Sequence, residues 1–320
     1  MTSQLCIACE TPLKRHIEGY GGTRHDLWYC PECRTNHTMP LPSADELFQF
    51  YQGFMFNVPT GTQAEQREAQ IRRNVRSMCK ALREDYGLPA ENGKILDFGG
   101  GVGITASEFG HMGYQADLFD LDTKACAYAR DRFSGDLNLV SSDESEIPED
   151  IYDLVYSSQV IEHLLDPIKH FEDLLSKLRA GGILVMTTPN QQSGEHWFRL
   201  SWLHYYLKKA GNVGLPGRLR AFMEQKWLNF DPPRHVYGFN RVSLPLLAHK
   251  AGFRELGCFP EYGHRSVFNT PRPLPQWRSG FRPMPLQMFE VFGIRLAAAA
   301  TPPFLEGNNL VYIGRKPAIS

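Results

Sequence analysis

A glycine cluster beside a carboxylate is the first stretch of this chain that could do chemistry. The apolar run 94–98 contains Asp97, and Gly99, Gly101 and Gly103 follow at alternate positions before a helical pattern. A strand, a tight turn and a helix N-terminus in this order form the nucleotide-binding turn of open α/β sheets. Glycine is needed there because a side chain would block the ligand and because positive φ is often required. The stretch therefore predicts a site for a nucleotide-like ligand.

Two further carboxylates follow the next two predicted strands. Asp120 ends the run 114–120, and Asp143 lies in the loop after the run 137–140. The carboxyl ends of parallel strands meet at one edge of an open α/β sheet, where ligands bind. An acid at a strand end is also a common helix cap or loop residue, so each position alone is a weak signal. Three acids at successive strand ends indicate a ligand site.

The identity of the ligand depends on Asp97. The stretch 101–106 fits the dinucleotide fingerprint, with Asp120 near the expected distance, so an NAD-dependent oxidoreductase is one alternative. A pyrophosphate, however, gains nothing from a carboxylate two residues before the turn, whereas a ligand with an ammonium group does. A ligand carrying an amino group is the favoured interpretation.

A second candidate site lies in the first forty residues, which carry four cysteines in two CxxC pairs: Cys6, Cys9, Cys30 and Cys33. Two such pairs about 20 residues apart have the spacing of a tetrahedral zinc ribbon. Disulfides are disfavoured in a reducing compartment. Four thiolates close the coordination sphere, so we expect a structural zinc, with His37 as a replacement ligand.

Elements that position these residues alternate along the chain. Predicted strands and helices succeed one another from the glycine turn to residue 188, and further strands are predicted at 253–259 and 309–314. This alternation indicates a Rossmann-like α/β fold, a doubly wound, mostly parallel seven-stranded sheet with helices on both faces. We expect a zinc ribbon at 1–42, a helical linker at 43–92 and the α/β domain at 93–320, with a helical aromatic insert at about 191–233.

Composition and net charge limit the classes of function that this chain could have. The chain has 320 residues, 42% hydrophobic and 22% charged, with a formal net charge of −1. No global positive field attracts nucleic acid or anionic membrane, although a local basic patch could still serve. No signal peptide and no apolar run of membrane-spanning length are evident, so a cytoplasmic protein without membrane insertion is expected.

The motifs together resemble the class I S-adenosylmethionine-dependent methyltransferases of the small-molecule, ubiquinone-type branch, over about residues 93–259. The stretch 97–103 resembles their first motif. The resemblance implies that Asp97 and the glycines hold the methyl donor, that Asp120 binds the ribose hydroxyls, and that Asp143 or its neighbour Glu144 meets the adenine amino group.

Further along, 157–164 resembles the segment that lines the methyl end of the cofactor, with Gln159 where many relatives have an acid. Methyl transfer to a hydroxyl needs a base for its proton. Histidine candidates are His163, His196, His204 and His235, with Tyr237 as an orienting residue. His235 ranks first because it lies in a proline-stiffened loop expected over the pocket, and His163 ranks second. A hydrogen-bonded structural imidazole is the alternative for each.

The acceptor is the least determined part of the prediction. Aromatic and basic residues of the insert suit a small molecule or glycan acceptor, with O- or C-methylation. They also suit stacking on single-stranded RNA, so an rRNA or tRNA methyltransferase is an alternative. A third alternative is a protein that binds S-adenosylmethionine without catalysing methyl transfer. The sequence gives neither the methylated atom nor the oligomeric state.

Overall fold

The computed structural model describes residues 4–20, 23–52, 61–193, 230, 232–260 and 309–318. Most of the predicted insert, including His196 and His204, lies outside these ranges. The strands are β1 Lys14–Ile17, β2 Asp26–Tyr29, β3 Asn36–Met39, β4 Lys94–Phe98, β5 Gln115–Phe119, β6 Leu137–Ser141, β7 Tyr152–Ser158, β8 Leu178–Pro189, β9 Tyr237–Gly238, β10 Arg254–Pro260 and β11 Asn309–Arg315. The helices are α1 Ala44–Gln52, α2 Thr62–Tyr86, α3 Ile104–His111, α4 Thr123–Arg132, α5 Pro167–Lys177 and α6 Ser243–Lys250.

A seven-stranded sheet has the order β10-β11-β8-β7-β4-β5-β6. The five strands from β8 to β6 are parallel, and β11 runs antiparallel to both β8 and β10. The predicted mostly parallel, doubly wound sheet is confirmed. Strand order reverses between β4 and β7, and ligands of such sheets bind at the carboxyl edge beside this point.

Successive residues of the central strands face opposite sides of the sheet. Ile95 packs in the apolar cluster formed with Met78 of α2 and Phe109 of α3. Leu96 packs in the other cluster, with Phe171 of α5 and residues of α6. Alternation of this kind follows from the period of two in a strand. Helices therefore cover both faces, as the sequence predicts.

One helix, α5, has other bounds than the sequence predicts. The sequence pattern predicts a helix from 168 to 179, but α5 begins at Pro167 and ends at Lys177, since Leu178 already pairs with Tyr152 of β7. Helix α2, within the expected linker 43–92, contributes to the core of the main sheet. Its Arg72 forms a 2.8 Å ion pair with the buried Glu108 of α3. None of the described helices has the length and apolarity needed to cross a membrane.

The second sheet is antiparallel and has the order β1-β2-β3-β9. Its first three strands come from the cysteine-rich N-terminal segment, whereas β9 comes from the far side of the predicted insert. His37 of β3 lies opposite Tyr237 of β9, and Asn36 opposite Gly238. The N-terminal segment is thus hydrogen-bonded to the α/β part of the chain through its own sheet.

The packing of α2 generates the first testable prediction. Met78 is fully buried between α2 and the sheet. We expect Met78→Ala to lower the free energy of unfolding by about 2–5 kcal/mol, the range for truncating a large buried side chain. Lys80→Ala, on the exposed side of the same helix, serves as the control and should change stability little. Chemical denaturation of both variants measures this, and equal stability would contradict the packing of α2.

Candidate active site

The glycine turn between β4 and α3 is built for close approach. Gly99, Gly101 and Gly103 have φ of 78°, 56° and 80°, a region that glycine adopts without steric cost. A Cβ at Gly99 would lie 2.5 Å from Cγ2 of Val160, so that segment packs directly against the turn. At Gly101 a Cβ would meet no described atom within 4 Å. The space beside Gly99 is therefore filled by Val160, whereas the space beside Gly101 is free for a ligand.

Asp97 is the penultimate residue of β4, next to this turn, and is 1% exposed. The backbone of Ala106 hydrogen-bonds to its carboxyl group, but its Oδ2 has no partner among the described residues. Burial, and secondarily the nearby charge of Asp120, raises the pKa of Asp97 to about 7. An orphaned buried carboxyl oxygen is costly unless a donor reaches it, which makes Asp97 a ready partner for a cationic group.

Asp120 follows β5 and fixes the other side of the turn. Its Oδ2 accepts a 2.7 Å hydrogen bond from the backbone N–H of Gly101, and its Oδ1 accepts one of 2.9 Å from Asp122. Burial raises the pKa of Asp120 despite these bonds. The carboxylate is thus held in place beside the open side of the turn.

Asp143 has the geometry of a cap. It is exposed, and its Oδ1 accepts hydrogen bonds from the backbone N–H and the hydroxyl of Ser145 at 2.9 and 2.7 Å, which lower the pKa of Asp143. Its role with adenine stays a prediction. Gln159 is exposed and has a φ of 58°, and its backbone N–H donates to the carbonyl of Thr187 at 2.8 Å. A positive φ at a non-glycine residue stores strain, which is typical of functional sites.

Both histidines that rank highest in the sequence lie together at this edge. The rings of His163 and His235 have centroids 5.1 Å apart. Nδ1 of His163 lies 2.9 Å from the carbonyl oxygen of Arg234, and its Nε2 lies 3.6 Å from Oε1 of Glu162. Glu162 is 2% exposed, and burial raises its pKa. The two imidazoles and this carboxylate form what we call the Glu-His-His cluster, Glu162, His163 and His235.

Four cysteine thiols form a second cluster. The Sγ atoms of Cys6 and Cys33, and those of Cys9 and Cys30, are each 3.4 Å apart. A disulfide bond would bring two sulfurs to about 2.05 Å. Four thiolates bound at 2.3 Å around a tetrahedral zinc would lie about 3.7 Å from one another. The spacing thus fits a metal ion at the centre and does not fit disulfides.

The two cysteine pairs also share one local geometry. Glu10 and Arg34, each following the second cysteine of its pair, have φ of 63° and 60°, and each donates its N–H to the carbonyl of the first cysteine. Thr11 and Thr35 place hydroxyls 3.4 and 2.9 Å from the sulfurs of Cys9 and Cys33. Both pairs are therefore Cys-x-x-Cys-x-Thr knuckles. The sequence shows this repeat, which was not among the expected features.

The cysteine segment holds the loop that carries His235. Thr38 of β3 donates its hydroxyl to the carbonyl of His235 at 2.8 Å, and its N–H to that of Val236 at 2.9 Å. Asn240 donates to the carbonyl of Cys33 at 2.8 Å. Consequently the placement of His235 depends on the fold of the N-terminal segment. Sequence reasoning did not identify Thr38, because its partner lies almost 200 residues away in the chain.

Two further residues were missed. The motif at 157–164 contains Glu162, but the sequence analysis gives this residue no role. A glutamate directly before a histidine in the segment after a strand is a signal that could have identified it. Tyr51 of α1 packs its ring 5.7 Å from that of His163, and its buried hydroxyl has no hydrogen-bond partner among the described residues. The aromatic helix α1 therefore covers the Glu-His-His cluster from the N-terminal side.

Comparison with known proteins identifies the fold. Residues 64–256 match the model of a family described as "Methyltransferase domain". A ubiquinone biosynthesis O-methyltransferase of Parvibaculum lavamentivorans is 27% identical over 124 residues, which cover 37% of this chain and 49% of that protein. A probable S-adenosylmethionine-dependent methyltransferase of Mycobacterium tuberculosis is 31% identical over 98 residues, 30% of this chain and 36% of that protein.

One solved structure extends the comparison. The complex of the Haloferax volcanii Trm112 methyltransferase activator with a methyltransferase matches with a TM-score of 0.50 at 14% identity, covering 79% of this chain and 95% of the matched one. That likeness concerns the fold alone. The chain spans about half or less of the length of the two curated relatives. Since the family match covers more than half of the 320 residues, the chain belongs to the methyltransferase-domain family, the class I S-adenosylmethionine-dependent methyltransferases.

Proposed function

We propose that this protein transfers a methyl group from S-adenosylmethionine to a hydroxyl oxygen of a small molecule or glycan. The observation that carries the proposal is Asp97, a fully buried carboxyl with an orphaned oxygen beneath a glycine turn that is open at Gly101. The donor has an ammonium group to pair with it. An NAD-dependent oxidoreductase would place a pyrophosphate there, and a carboxyl disfavours an anion.

The other parts of the donor have partners along the same edge. Asp120 is oriented by backbone N–H groups and is proposed to accept the ribose hydroxyls. Leu121 beside it is 74% exposed and offers an apolar surface for adenine. Asp143 uses one oxygen as a cap, which leaves its second oxygen for the adenine amino group. Gln159, Gly99 and Gly103 shape the rest of the pocket in this proposal.

The acceptor is proposed to bind near the Glu-His-His cluster. Glu162 and His163 follow β7, the strand next to β4. Val160, between β7 and these two residues, packs on Gly99. Methyl transfer is an in-line displacement, so the acceptor must lie beside the methyl end of the donor. His235 and His163 are the groups proposed to handle the proton of an acceptor hydroxyl. The O-methyltransferase named among the relatives supports oxygen as the target.

The cysteine segment is proposed to bind a structural zinc and to act as a brace for the His235 loop. Four thiolate ligands leave no open position for catalysis. The proposed division is a ribbon at 1–42, a helical segment at 43–92 and a methyltransferase domain at 93–320, although α2 packs on the main sheet. RNA as the acceptor is the competing proposal, and the turnover experiment below tests it.

The first prediction that follows from the proposed function concerns the pH dependence of donor binding. Since the pKa of unliganded Asp97 is raised to about 7, its carboxyl group is mostly protonated below that pH. A cationic amino group binds the ionised form, so affinity for S-adenosylhomocysteine should fall as pH decreases below 7, by up to about tenfold per pH unit. Calorimetric titration between pH 5.5 and about 8.5 measures this.

Asp97→Asn should weaken binding and remove the pH dependence, whereas Asp131→Asn on the exposed surface should leave both unchanged. A dependence that persists in Asp97→Asn would assign it to another group. Binding of NADH in place of S-adenosylhomocysteine would overturn the proposed donor.

A second prediction concerns His235. We expect His235→Gln to reduce turnover by roughly 10²–10⁴, the usual contribution of a proton-transferring group, while affinity for S-adenosylhomocysteine changes little. Turnover is measured as methyl-labelled product from labelled donor with a pool of small hydroxylated metabolites, and separately with total RNA. His249→Gln, an exposed histidine of α6, is the matched control. Product from RNA alone would replace the proposed acceptor class, and unchanged turnover would exclude His235.

A third prediction concerns the cysteine cluster. We expect one tightly held zinc ion per chain by elemental analysis after mild chelation, and none in Cys30→Ser. Loss of zinc should also lower the melting temperature, because the small β1-β2-β3 unit has little core of its own. Cys79→Ala, which changes a buried cysteine of α2 outside the cluster, should keep its zinc. Zinc-free protein with oxidised cysteine pairs would contradict the assignment.

A further inference from the structure

The Glu-His-His cluster brings a carboxylate and two imidazoles close together. One ligand-type atom from each of Glu162, His163 and His235 lies within 4.8 Å of the other two. Glu162 and His235 are 2% and 6% exposed. Groups that offer lone pairs repel one another at this spacing in a dry environment unless a proton or a cation lies between them.

The carboxylate of Glu162 is only half satisfied. Its Oε2 accepts a 3.0 Å hydrogen bond from the hydroxyl of Thr188, at the end of β8. Its Oε1 is buried and has no hydrogen-bond partner among the described residues. Leaving a buried carboxylate oxygen unpaired costs free energy, so a site that keeps one is prepared for a ligand.

His163 directs a lone pair toward that orphaned oxygen. The carbonyl of Arg234 can only accept a hydrogen bond, so the contact with Nδ1 at 2.9 Å assigns the ring proton of neutral His163 to Nδ1. Its Nε2 is then an acceptor, 3.6 Å from Oε1 of Glu162. A backbone carbonyl that fixes the tautomer of an imidazole is the usual second partner of a metal-binding histidine.

The loop of the third group, His235, is held from two sides. The backbone N–H of Val236 donates to the carbonyl of Glu162 at 2.8 Å, which ties the His235 loop to the segment after β7. Thr38 holds the same loop from the N-terminal sheet at 2.8 Å. The two imidazole rings are inclined by 33°. Backbone contacts on both sides thus fix the His235 loop next to the other two ligands.

We propose that Glu162, His163 and His235 bind a divalent transition-metal cation, separate from the one at the four cysteines. Two imidazoles and one carboxylate are ligands that zinc, manganese, iron(II) and cobalt(II) accept. Around a cation bound at about 2.1 Å, neighbouring ligand atoms lie about 3.0–3.4 Å apart, so the 3.6 Å pair needs little movement. Three protein ligands leave open positions, in contrast to the closed cysteine site.

Given the proposed function, which this inference deepens, the open position takes the acceptor hydroxyl. A cation lowers the pKa of a bound hydroxyl group, whose proton passes to water. The oxygen then forms its bond to the methyl carbon as the carbon–sulfur bond breaks, and that bonding pair stays on the sulfur of S-adenosylhomocysteine. His163 and His235 then act on the acceptor through the cation, which replaces direct transfer of the hydroxyl proton to either imidazole. Tyr51, which packs on His163, covers the site with its unpartnered hydroxyl.

The experiment titrates cobalt(II) into the 320-residue chain whose cysteine site is already loaded with zinc, without any acceptor. Calorimetry and the visible absorption of cobalt report binding. We expect one additional cobalt per chain, with a spectrum that lacks the strong thiolate-to-metal band of a cysteine site. Glu162→Gln and His235→Gln should each weaken this binding by roughly 100-fold or more, because loss of a ligand should cost at least as much as loss of an outer-shell partner.

Two controls keep the result interpretable. His249→Gln, an exposed histidine outside the cluster, should bind cobalt like the wild type. Thermal unfolding identifies any variant that fails to fold, and His163→Gln then provides an independent substitution of a less buried ligand. No additional cobalt in the zinc-loaded wild type would overturn the proposal, and would indicate an imidazolium of His163 paired with Glu162. Undiminished binding in folded Glu162→Gln and His235→Gln would overturn it equally.

The same samples separate this inference from the proposed function. Affinity for S-adenosylhomocysteine depends on Asp97 and Asp120, and it should be nearly unchanged in the cluster variants. Cobalt binding without any S-adenosylhomocysteine binding would contradict the proposed donor and leave the metal site standing. Binding of S-adenosylhomocysteine without additional cobalt would overturn the metal site and leave the proposed methyl donor standing.

Discussion

Burial of carboxyl groups at the carboxyl edge of the parallel strands is the constraint on which this structure depends. Asp97 and Glu162 are both nearly inaccessible, and each has one oxygen without a partner among the described residues. A desolvated carboxyl group is stable only if a cation or a hydrogen-bond donor pairs with it. The α/β fold brings both to the same edge because β4 and β7 are adjacent and parallel. In the proposed function, Asp97 pairs with the methyl donor and Glu162 belongs to the site of the acceptor.

The N-terminal cysteine segment contributes to this edge through backbone hydrogen bonds. Pairing of β3 with β9 and the two bonds from Thr38 connect the two cysteine knuckles to the loop of His235. Helix α1, which follows the segment, places Tyr51 against His163. In the proposed zinc-bound form, this small unit with little apolar core would gain rigidity and hold the loop more firmly. The cysteine segment would then support the proposed site without having to bind the acceptor.

Much of the fold could be predicted from local pattern. Alternating strand and helix signals, glycines at the turn and the two CxxC pairs each depend on a short stretch of chain, and the seven-stranded sheet is confirmed. The predicted end of α5 was wrong because strand pairing overrides helix propensity there. The helix ends at Lys177, since Leu178 pairs with Tyr152 of β7. The roles of the individual site residues are proposals, and His196 and His204 lie outside the described residues.

By itself the sequence determined the family resemblance, the glycine turn, the acids at three strand ends and the four cysteines of the proposed metal site. These features are set by spacing within single segments, which local geometry preserves. Only the tertiary structure decided that Glu162, His163 and His235 meet, that Thr38 holds the loop, and that an oxygen of Asp97 is orphaned. Contacts between segments far apart in the chain, and the desolvation they cause, depend on how the sheets pack. No local pattern of residues encodes those distances.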